Sequence, residues 1–150
     1  MSTLNNCLES GRRLAESIPY CLVALVTRLA VASVFWRSAR TKVDGILEIK
    51  ANTVFLFQEE YKVPLLPPDL AAYFATYAEH IFSVLLVIGL ASRLSALGLM
   101  IMTLVIQIFV YPSGWPEHIL WFACLLLIVA RGPGAISLDH LFWAGTKGNR

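Results

Sequence analysis

Four long apolar stretches limit what this chain can fold into. They run approximately over residues 18–36, 70–91, 94–111 and 115–130. Each approaches the ~20 residues that a helix needs to cross about 30 Å of hydrocarbon. With 57% hydrophobic and 15% charged residues, the chain is also too apolar for an ordinary soluble domain. The sequence therefore predicts an all-α membrane protein, a single domain over residues 1–150 with four transmembrane helices in a bundle.

The start of the chain has a second interpretation, which is a cleavable signal peptide. Arg12 and Arg13 precede an apolar stretch, and residues 30–32 (Ala-Val-Ala) resemble a cleavage site. Arg28 would interrupt the apolar core of such a signal, and three further spans follow. We expect the first seventeen residues to form a short polar tail that leads into the first span. At the other end of that span, Arg37, Arg40 and Lys42 either belong to the connection that follows or extend the first helix past the membrane face.

Two opposite charges lie inside these apolar stretches. Arg28 is in the first stretch and Glu79 is in the second. A charge at the bilayer centre costs about 2.5–3.5 kcal/mol on insertion scales, so such residues are normally paired and turned inward. If Trp36 and Leu70 are level, the two charges lie about 12 and 13.5 Å deep. The sequence therefore predicts an Arg28–Glu79 pair, either a functional site or an ion pair that fixes helix register.

Further polar residues extend this hypothetical site toward one membrane face. Thr76, Glu79 and Ser83 follow at helical spacing and form one face of the second helix. Gln107 lies on the third helix, and His118 begins the fourth. His118 is either an interfacial residue or a proton carrier between water and a ligand. We predict that these residues, together with Arg28, bind a ligand.

The segment between the first two spans, about residues 43–68, is the one long connection. Its part from Thr53 to Lys62 mixes aromatic and charged residues. This composition predicts a lid-like amphipathic segment across the mouth of the bundle, or alternatively a surface loop anchored in the headgroups. Asp69, after two prolines, is a predicted N-cap of the second helix.

Charge and cysteine content narrow the function classes. A net charge of +2 without a basic stripe gives no case for nucleic acid as a partner. The three cysteines follow no CxxC spacing, so no metal site is predicted.

The distribution of cations bears on the orientation in the membrane. With both termini in the cytoplasm, six cations lie on the inner side and five on the outer side. The cation-free third loop, residues 111–116, favours that orientation.

Four motifs stand out along the chain: Arg28-Leu-Ala followed by Phe35 and then Lys42, the pair Ala78-Glu79, residues 85–96 (LLVIGLASRLSA) and residues 130–139 (ARGPGAISLD). Together they resemble the DoxX family of small four-helix bacterial membrane proteins. The last motif is the most specific, and the resemblance covers about residues 18 to 142. Gly132 to Gly134 stop the fourth helix, and Ser137 is a predicted N-cap for the stretch that follows.

The resemblance implies a redox-associated subunit of the bacterial inner membrane. The family takes its name from a subunit associated with a terminal quinol oxidase, and relatives accompany thiosulfate:quinone oxidoreduction or oxidative- and metal-stress systems. It therefore implies a protein partner from such a system, while homo-oligomerisation stays open. The chain encodes no electron carrier and no assigned catalytic residue, so a non-catalytic subunit of a quinone-linked oxidoreductase fits.

The leading functional hypothesis is an intramembrane pocket for a quinone-like ring. Arg28 would donate to one ligand oxygen, and Glu79 would accept or supply a proton. Four aromatic residues are either the lining of the path or plain packing: Phe35, Trp36, Tyr73 and Trp121. The alternatives are a small metal or anion carrier that uses the same polar residues, and a membrane scaffold for a redox or metal-stress complex.

Overall fold

The computed structural model describes residues 2–61, 63–64 and 66–147, with side chains described from residue 8 to residue 142. Its helices and strands, in chain order, are α1 (Ser2–Glu16), α2 (Tyr20–Thr41), β1 (Val43–Asp44), β2 (Glu48–Ile49), α3 (Ala51–Glu59), α4 (Pro68–Ile88), α5 (Ser92–Val105, continued by a π-helical turn Ile106–Val110), a 3₁₀ turn (Pro112–Gly114), α6 (Trp115–Arg131) and α7 (Leu138–Lys147). The two strands pair antiparallel as a small hairpin.

Four of these helices are long and apolar enough to cross a membrane. The spans are Tyr20–Thr41, Pro68–Ile88, Ser92–Val110 and Pro112–Arg131. Prolines that precede or open three of them suit helix starts, where the missing N–H costs nothing. The prediction of an all-α membrane protein with four spans is confirmed. A folded connection, made of the hairpin and α3, lies between the first two spans as predicted.

Two polar stretches are helical. Residues Ser2–Glu16, predicted to be a polar tail, form helix α1. The first helix continues through Thr41, past the apolar stretch that ends at Trp36. Both stretches are polar, so hydropathy alone did not mark them as helix, although polar sequences also form helices.

The bundle is held together where small residues let the helices approach. Helix α2 packs against α4, and α5 packs against α6. Ala32 and Ala96 are almost completely buried in the main core. Small side chains are what close helix packing in lipid requires, because apolar burial alone does not drive helices together there. The larger core residues are Val31, Phe35, Leu86, Leu99, Leu125 and Ile128.

The segment between α2 and α4 covers one end of the bundle. Phe57 of α3 packs on Ala71 and Ala72, in the first two turns of α4. Thr53 donates a hydrogen bond to the Lys42 carbonyl (2.9 Å), which ties α3 to the end of α2. We call residues 43–67 the lid segment. The predicted capping role of Asp69 is wrong, because α4 begins at Pro68 without a side-chain cap and Asp69 instead accepts a hydrogen bond from Gln58.

The opposite end of the bundle is closed by the segment after α6. Ser137 caps α7 as predicted, because its Oγ accepts a hydrogen bond from the His140 N–H (3.2 Å). Asp139 reaches back to the start of α5, where both carboxylate oxygens accept backbone N–H groups of Ala91 and Ser92 (2.7 and 2.8 Å). An acidic residue at a helix N-terminus satisfies donors that have no partner within the helix. The segment therefore serves architecture at this face.

Candidate functional site

Arg28 and Glu79 do not face each other. The Arg28 guanidinium donates to two carbonyls, those of Leu86 (3.2 Å) and Ile136. Glu79 is instead bound by Lys42. Glu79 and Leu86 are seven residues apart on α4, which places the two predicted partners about 10 Å apart along that helix. The predicted Arg28–Glu79 ion pair is therefore wrong.

The error comes from the assumption that the helix ends are level. The first two turns of α4 project beyond α2 and pack against Phe57 of the lid segment. Ser38, near the end of α2, therefore lies beside Glu79 (Oγ to Oε1, 3.4 Å). Arg28 lies ten residues earlier, at the other end of α4. Neither charge is a lone ion at the centre of an apolar span.

Arg28 acts as a structural clasp. It is 1% exposed, and the carbonyl of Leu86 that it binds lies in the last turn of α4, where it also accepts the Gly89 N–H (3.2 Å). The C-terminal end of a helix also carries partial negative charge, which favours a cation there. A Cβ on Gly89, which has φ +73°, would collide with this guanidinium. The clasp thus joins α2, the end of α4 and the segment before α7.

Glu79 forms the centre of a second buried polar cluster. Lys42 Nζ donates to both carboxylate oxygens (2.7 and 2.5 Å) and to Ser38 Oγ (3.0 Å). The side chain of Glu79 is 2% exposed and that of Lys42 is 16% exposed. In a buried pair held this closely, removal of either charge would leave the other uncompensated. The pair therefore forms a fixed dipole in an otherwise apolar region.

This pair forms part of the wall of a large cavity. The cavity has a volume of about 860 Å³ and lies between the lid segment and helices α2, α4, α5 and α6. Its polar walls include Ser38, Lys42, Tyr61, Glu79, Tyr111 and His118, and its aromatic walls include Phe35, Phe57, Phe74 and Trp121. A mostly apolar cavity of this size with a few polar groups is typical of small-molecule sites.

His118 lines the cavity and is held by Gln107. Its Nδ1 lies 2.6 Å from Gln107 Oε1, while Gln107 Nε2 donates to the Pro112 carbonyl (2.7 Å). Because a carbonyl can only accept, the amide orientation is fixed and the proton of the neutral ring lies on Nδ1. Nε2 is then an acceptor, and no hydrogen bond joins it to another side chain of the described residues.

Two tyrosines join the lid segment to the end of the third span, after α5. The hydroxyls of Tyr61 and Tyr111 lie 3.4 Å apart, and their rings meet edge to face at 5.9 Å. Both residues line the cavity. Burial, reinforced by the Tyr111 hydroxyl, raises the pKa of the Tyr61 phenol above its ordinary value, so Tyr61 stays protonated through the neutral range.

The structure places the six predicted site residues in different surroundings. Glu79 and His118 line the cavity, and Gln107 acts behind His118. Arg28 belongs to the clasp and is not among the described residues that line the cavity. Thr76 donates to the Ala72 carbonyl (2.7 Å), and Ser83 is buried with an unpaired Oγ. A ligand role for each of these residues stays a prediction.

Of the four aromatic residues proposed as lining, two line the cavity and two lie outside it. Phe35 and Trp121 line the cavity, and their rings pack edge to face at 5.7 Å. Trp36 and Tyr73 are 44% and 46% exposed on the outer surface of the bundle, where lipid would contact them. The cavity therefore takes its aromatic groups from the inner faces of the helices and from the lid segment.

Sequence reasoning missed Lys42 and Ser38. Both lie beyond Trp36, where the first span was expected to end. A signal was present, because Phe35, Ser38 and Lys42 follow at spacings of three and four, which places them on one face of a continued helix. The extension of the first helix past the membrane face was one of two open alternatives, and that extension makes Lys42 a second candidate cation for Glu79 besides Arg28.

The cysteines and the potential metal ligands of the described residues were compared with the predictions for them. Cys21 and Cys124 are free and partly buried. No group of three or more His, Cys, Asp or Glu side chains that could hold a metal ion occurs among the residues that the structure describes.

The fold and the site define a multi-pass membrane protein of four spanning helices with a mostly apolar cavity under a lid segment. The DoxX family model matches residues 23–112, and the chain belongs to the DoxX family. This family is generally associated with redox-related roles at the membrane.

The comparisons with individual proteins agree with this assignment. The chain is similar to an uncharacterised protein of Haemophilus influenzae, with 28% identity over 127 residues that cover 78% of this chain and 81% of that protein. No solved structure matches.

Proposed function

We propose that the cavity binds a quinone-like ring, and that the protein serves as a membrane subunit in quinone-linked redox metabolism. The observation that carries the proposal is the buried Lys42–Glu79 pair on the wall of a cavity whose other walls are largely aromatic and aliphatic. An apolar ring with polar oxygens on its rim matches both features of such a site.

The free hydrogen-bonding capacity of the cavity favours the dihydroxy form of the ring. The three donors of Lys42 are already engaged by Glu79 and Ser38, while the carboxylate of Glu79 retains unused lone pairs. His118 Nε2 is a second acceptor. A ring hydroxyl can therefore donate to Glu79, and another can donate to His118. We accordingly propose tighter binding of the quinol than of the quinone.

Each residue then has a distinct role in the proposal. Lys42 keeps Glu79 ionised, and Glu79 accepts the ligand hydroxyl and is placed to receive its proton. Gln107 fixes the His118 ring so that its acceptor nitrogen faces the ligand. A bound quinone would supply two-electron redox chemistry, and its electrons would be exchanged with a partner subunit. Arg28 is replaced by Lys42 as the cation of the proposed site.

We further propose the bacterial inner membrane as the location, with both termini in the cytoplasm. Four spans return the chain to the face on which it began. The loop between α5 and α6 carries no cation, and Tyr111 and Trp115 flank it with half-exposed side chains. Aromatic residues without cations suit the outer interface. In this orientation the lid segment and the cavity mouth face the periplasm.

The proposal is tested by titration of a short-chain ubiquinol and its oxidised form, without oxygen, into purified protein in detergent. Trp121 lies in the cavity wall, so quenching of tryptophan fluorescence reports occupancy. We expect the quinol to bind several-fold more tightly than the quinone. The variant His118→Phe should weaken quinol binding roughly tenfold, which corresponds to one lost hydrogen bond in a buried site. Lys42→Met should weaken it to a similar extent, because a buried Glu79 without its counter-ion takes up a proton and becomes a poorer acceptor.

The matched control for Lys42 is Lys50→Met, because Lys50 is partly exposed and pairs with Asp44 at 3.7 Å outside the cavity. Its affinity should equal that of the wild type. Equal affinity in all variants would refute the site. Flux of a metal or anion into sealed vesicles that depends on Glu79, in protein with no affinity for either ring form, would support the carrier hypothesis instead.

A further inference from the structure

A second cavity lies at the opposite end of the bundle, on the face that carries both termini. It has a volume of about 680 Å³ and is formed where α2 begins, α5 begins and α6 ends. The residues that matter are Tyr20, Ser92, Arg93, Arg131, Asp139 and His140. We call it the arginine cavity. It shares no described lining residue with the cavity proposed for the ring ligand.

Arg93 reaches across this cavity without an acidic partner. Its guanidinium atoms lie 3.4 to 3.9 Å from the position that a Cβ on Gly132 would occupy, so the side chain extends from the start of α5 to the end of α6. No ion pair or hydrogen bond joins it to any residue of the described ranges. A cation in the first turn of a helix is also unfavourable with the helix dipole. Arg93 therefore does not stabilise its own helix.

Arg131 contributes a second cation to the same cavity. Its guanidinium lies over the Tyr20 ring, 5.1 Å from the ring centroid, and the Tyr20 hydroxyl donates to the Gly132 carbonyl (2.8 Å). This contact holds the arginine in place but does not neutralise it. Among the described residues Arg131 has no carboxylate partner either.

The acidic group of the arginine cavity is already engaged. Both carboxylate oxygens of Asp139 accept backbone N–H groups at the start of α5, as described above. Two arginines thus share the cavity with one carboxylate, and that carboxylate is already bound by the backbone N–H groups of Ala91 and Ser92. Ser92 is fully buried beside them, with an Oγ that has no partner. The cavity is a concave site with excess positive charge.

We propose that the arginine cavity binds a phosphate group, specifically that of an anionic phospholipid. Arg93 and Arg131 supply planar guanidinium groups, which match phosphate oxygens in paired hydrogen bonds. Both residues lie at the ends of membrane-spanning helices, the depth at which headgroups lie. A bound lipid would join the turn between α4 and α5 to the end of α6.

The experiment measures lipid retention by native mass spectrometry of the full chain in detergent. Wild-type protein should retain phosphatidylglycerol in preference to phosphatidylcholine of the same acyl chains. Each of Arg93→Gln and Arg131→Gln should lower phosphatidylglycerol affinity about fivefold, and the double variant about 25-fold, from the usual contribution of one basic residue near anionic lipid. Arg93→Lys with Arg131→Lys should restore part of the loss. Arg37→Gln, an exposed arginine near the other end of α2, should leave the affinity unchanged.

A second experiment, with a soluble ligand, distinguishes a phospholipid headgroup from a free phosphate compound as the source of the phosphate group. Glycerol 1-phosphate is added to the same proteins, and its binding is measured by calorimetry. Binding of glycerol 1-phosphate that needs both arginines, without lipid retention, would support the phosphate site and assign it to a soluble ligand. Equal retention of both lipids by wild type and double variant, with no glycerol 1-phosphate binding, would overturn the proposal. Both arginines are exposed, so the glutamine variants should fold, and unchanged thermal unfolding checks this.

Discussion

Arg28→Ala is expected to lower the free energy of unfolding by about 3–5 kcal/mol. The substitution removes two hydrogen bonds from a charged donor, to the carbonyls of Leu86 and Ile136, and leaves those carbonyls without that donor. It also opens a void, because Arg28 is among the largest fully buried side chains. The measurement is SDS-driven unfolding in mixed micelles, followed by circular dichroism.

The matched control for this prediction is Arg37→Ala. Arg37 is on the same helix but exposed, so its loss should change stability by no more than about 0.5 kcal/mol. Arg28→Lys should recover only part of the loss, since an ammonium group cannot reproduce the two-pronged donation of a guanidinium. An Arg28→Ala protein as stable as the wild type would show that the clasp contributes nothing to the fold.

The second large effect concerns the Lys42–Glu79 pair. Lys42→Met should cost about 3–5 kcal/mol of stability, because it leaves a carboxylate with 2% exposure without its counter-ion. The double variant Lys42→Met with Glu79→Leu should recover most of this loss, since a buried ion pair can be replaced by apolar residues of similar size at little cost. The measurement is the same SDS-driven unfolding, arranged as a double-mutant cycle.

The coupling free energy between Lys42→Met and Glu79→Leu tests this second prediction. If the double variant is as unstable as the sum of its single variants, the two side chains do not interact in the folded protein. Recovery in the double variant together with loss of quinol binding would separate the two roles of the pair. Its contribution to stability would then be replaceable, whereas its contribution to the ligand site would not.

The fold could be predicted from the sequence much further than the site could. Hydropathy located all four spans, because each must match the thickness of the hydrocarbon core. It could not place the end of the first span, since Arg37, Arg40 and Lys42 are charged although α2 continues to Thr41. Helix boundaries set by polar residues depend on tertiary contacts, here those between α2 and the hairpin of the lid segment.

The ion pairing was mispredicted for a related reason. Arg28 and Glu79 are the two charges nearest the middle of their spans, and low dielectric favours a pair. Sequence spacing gives depth along one helix, but it does not give the offset between two helices. That offset depends on how the lid segment packs on α4, through Phe57 and Ala71, and no local pattern encodes it. The carbonyl partners of Arg28 are backbone atoms, which any sequence supplies.

The most direct test of the proposed function is mass analysis of the small molecules that are extracted with the protein from quinone-containing bacterial membranes. The wild type should retain a quinone or quinol in near-stoichiometric amount. The Lys42→Met with Glu79→Leu variant, folded and equally pure, should retain roughly a tenth of that amount or less, in line with the loss of one or more buried hydrogen bonds. Equal quinone in both preparations, or none in the wild type, would contradict a ring site built on this ion pair.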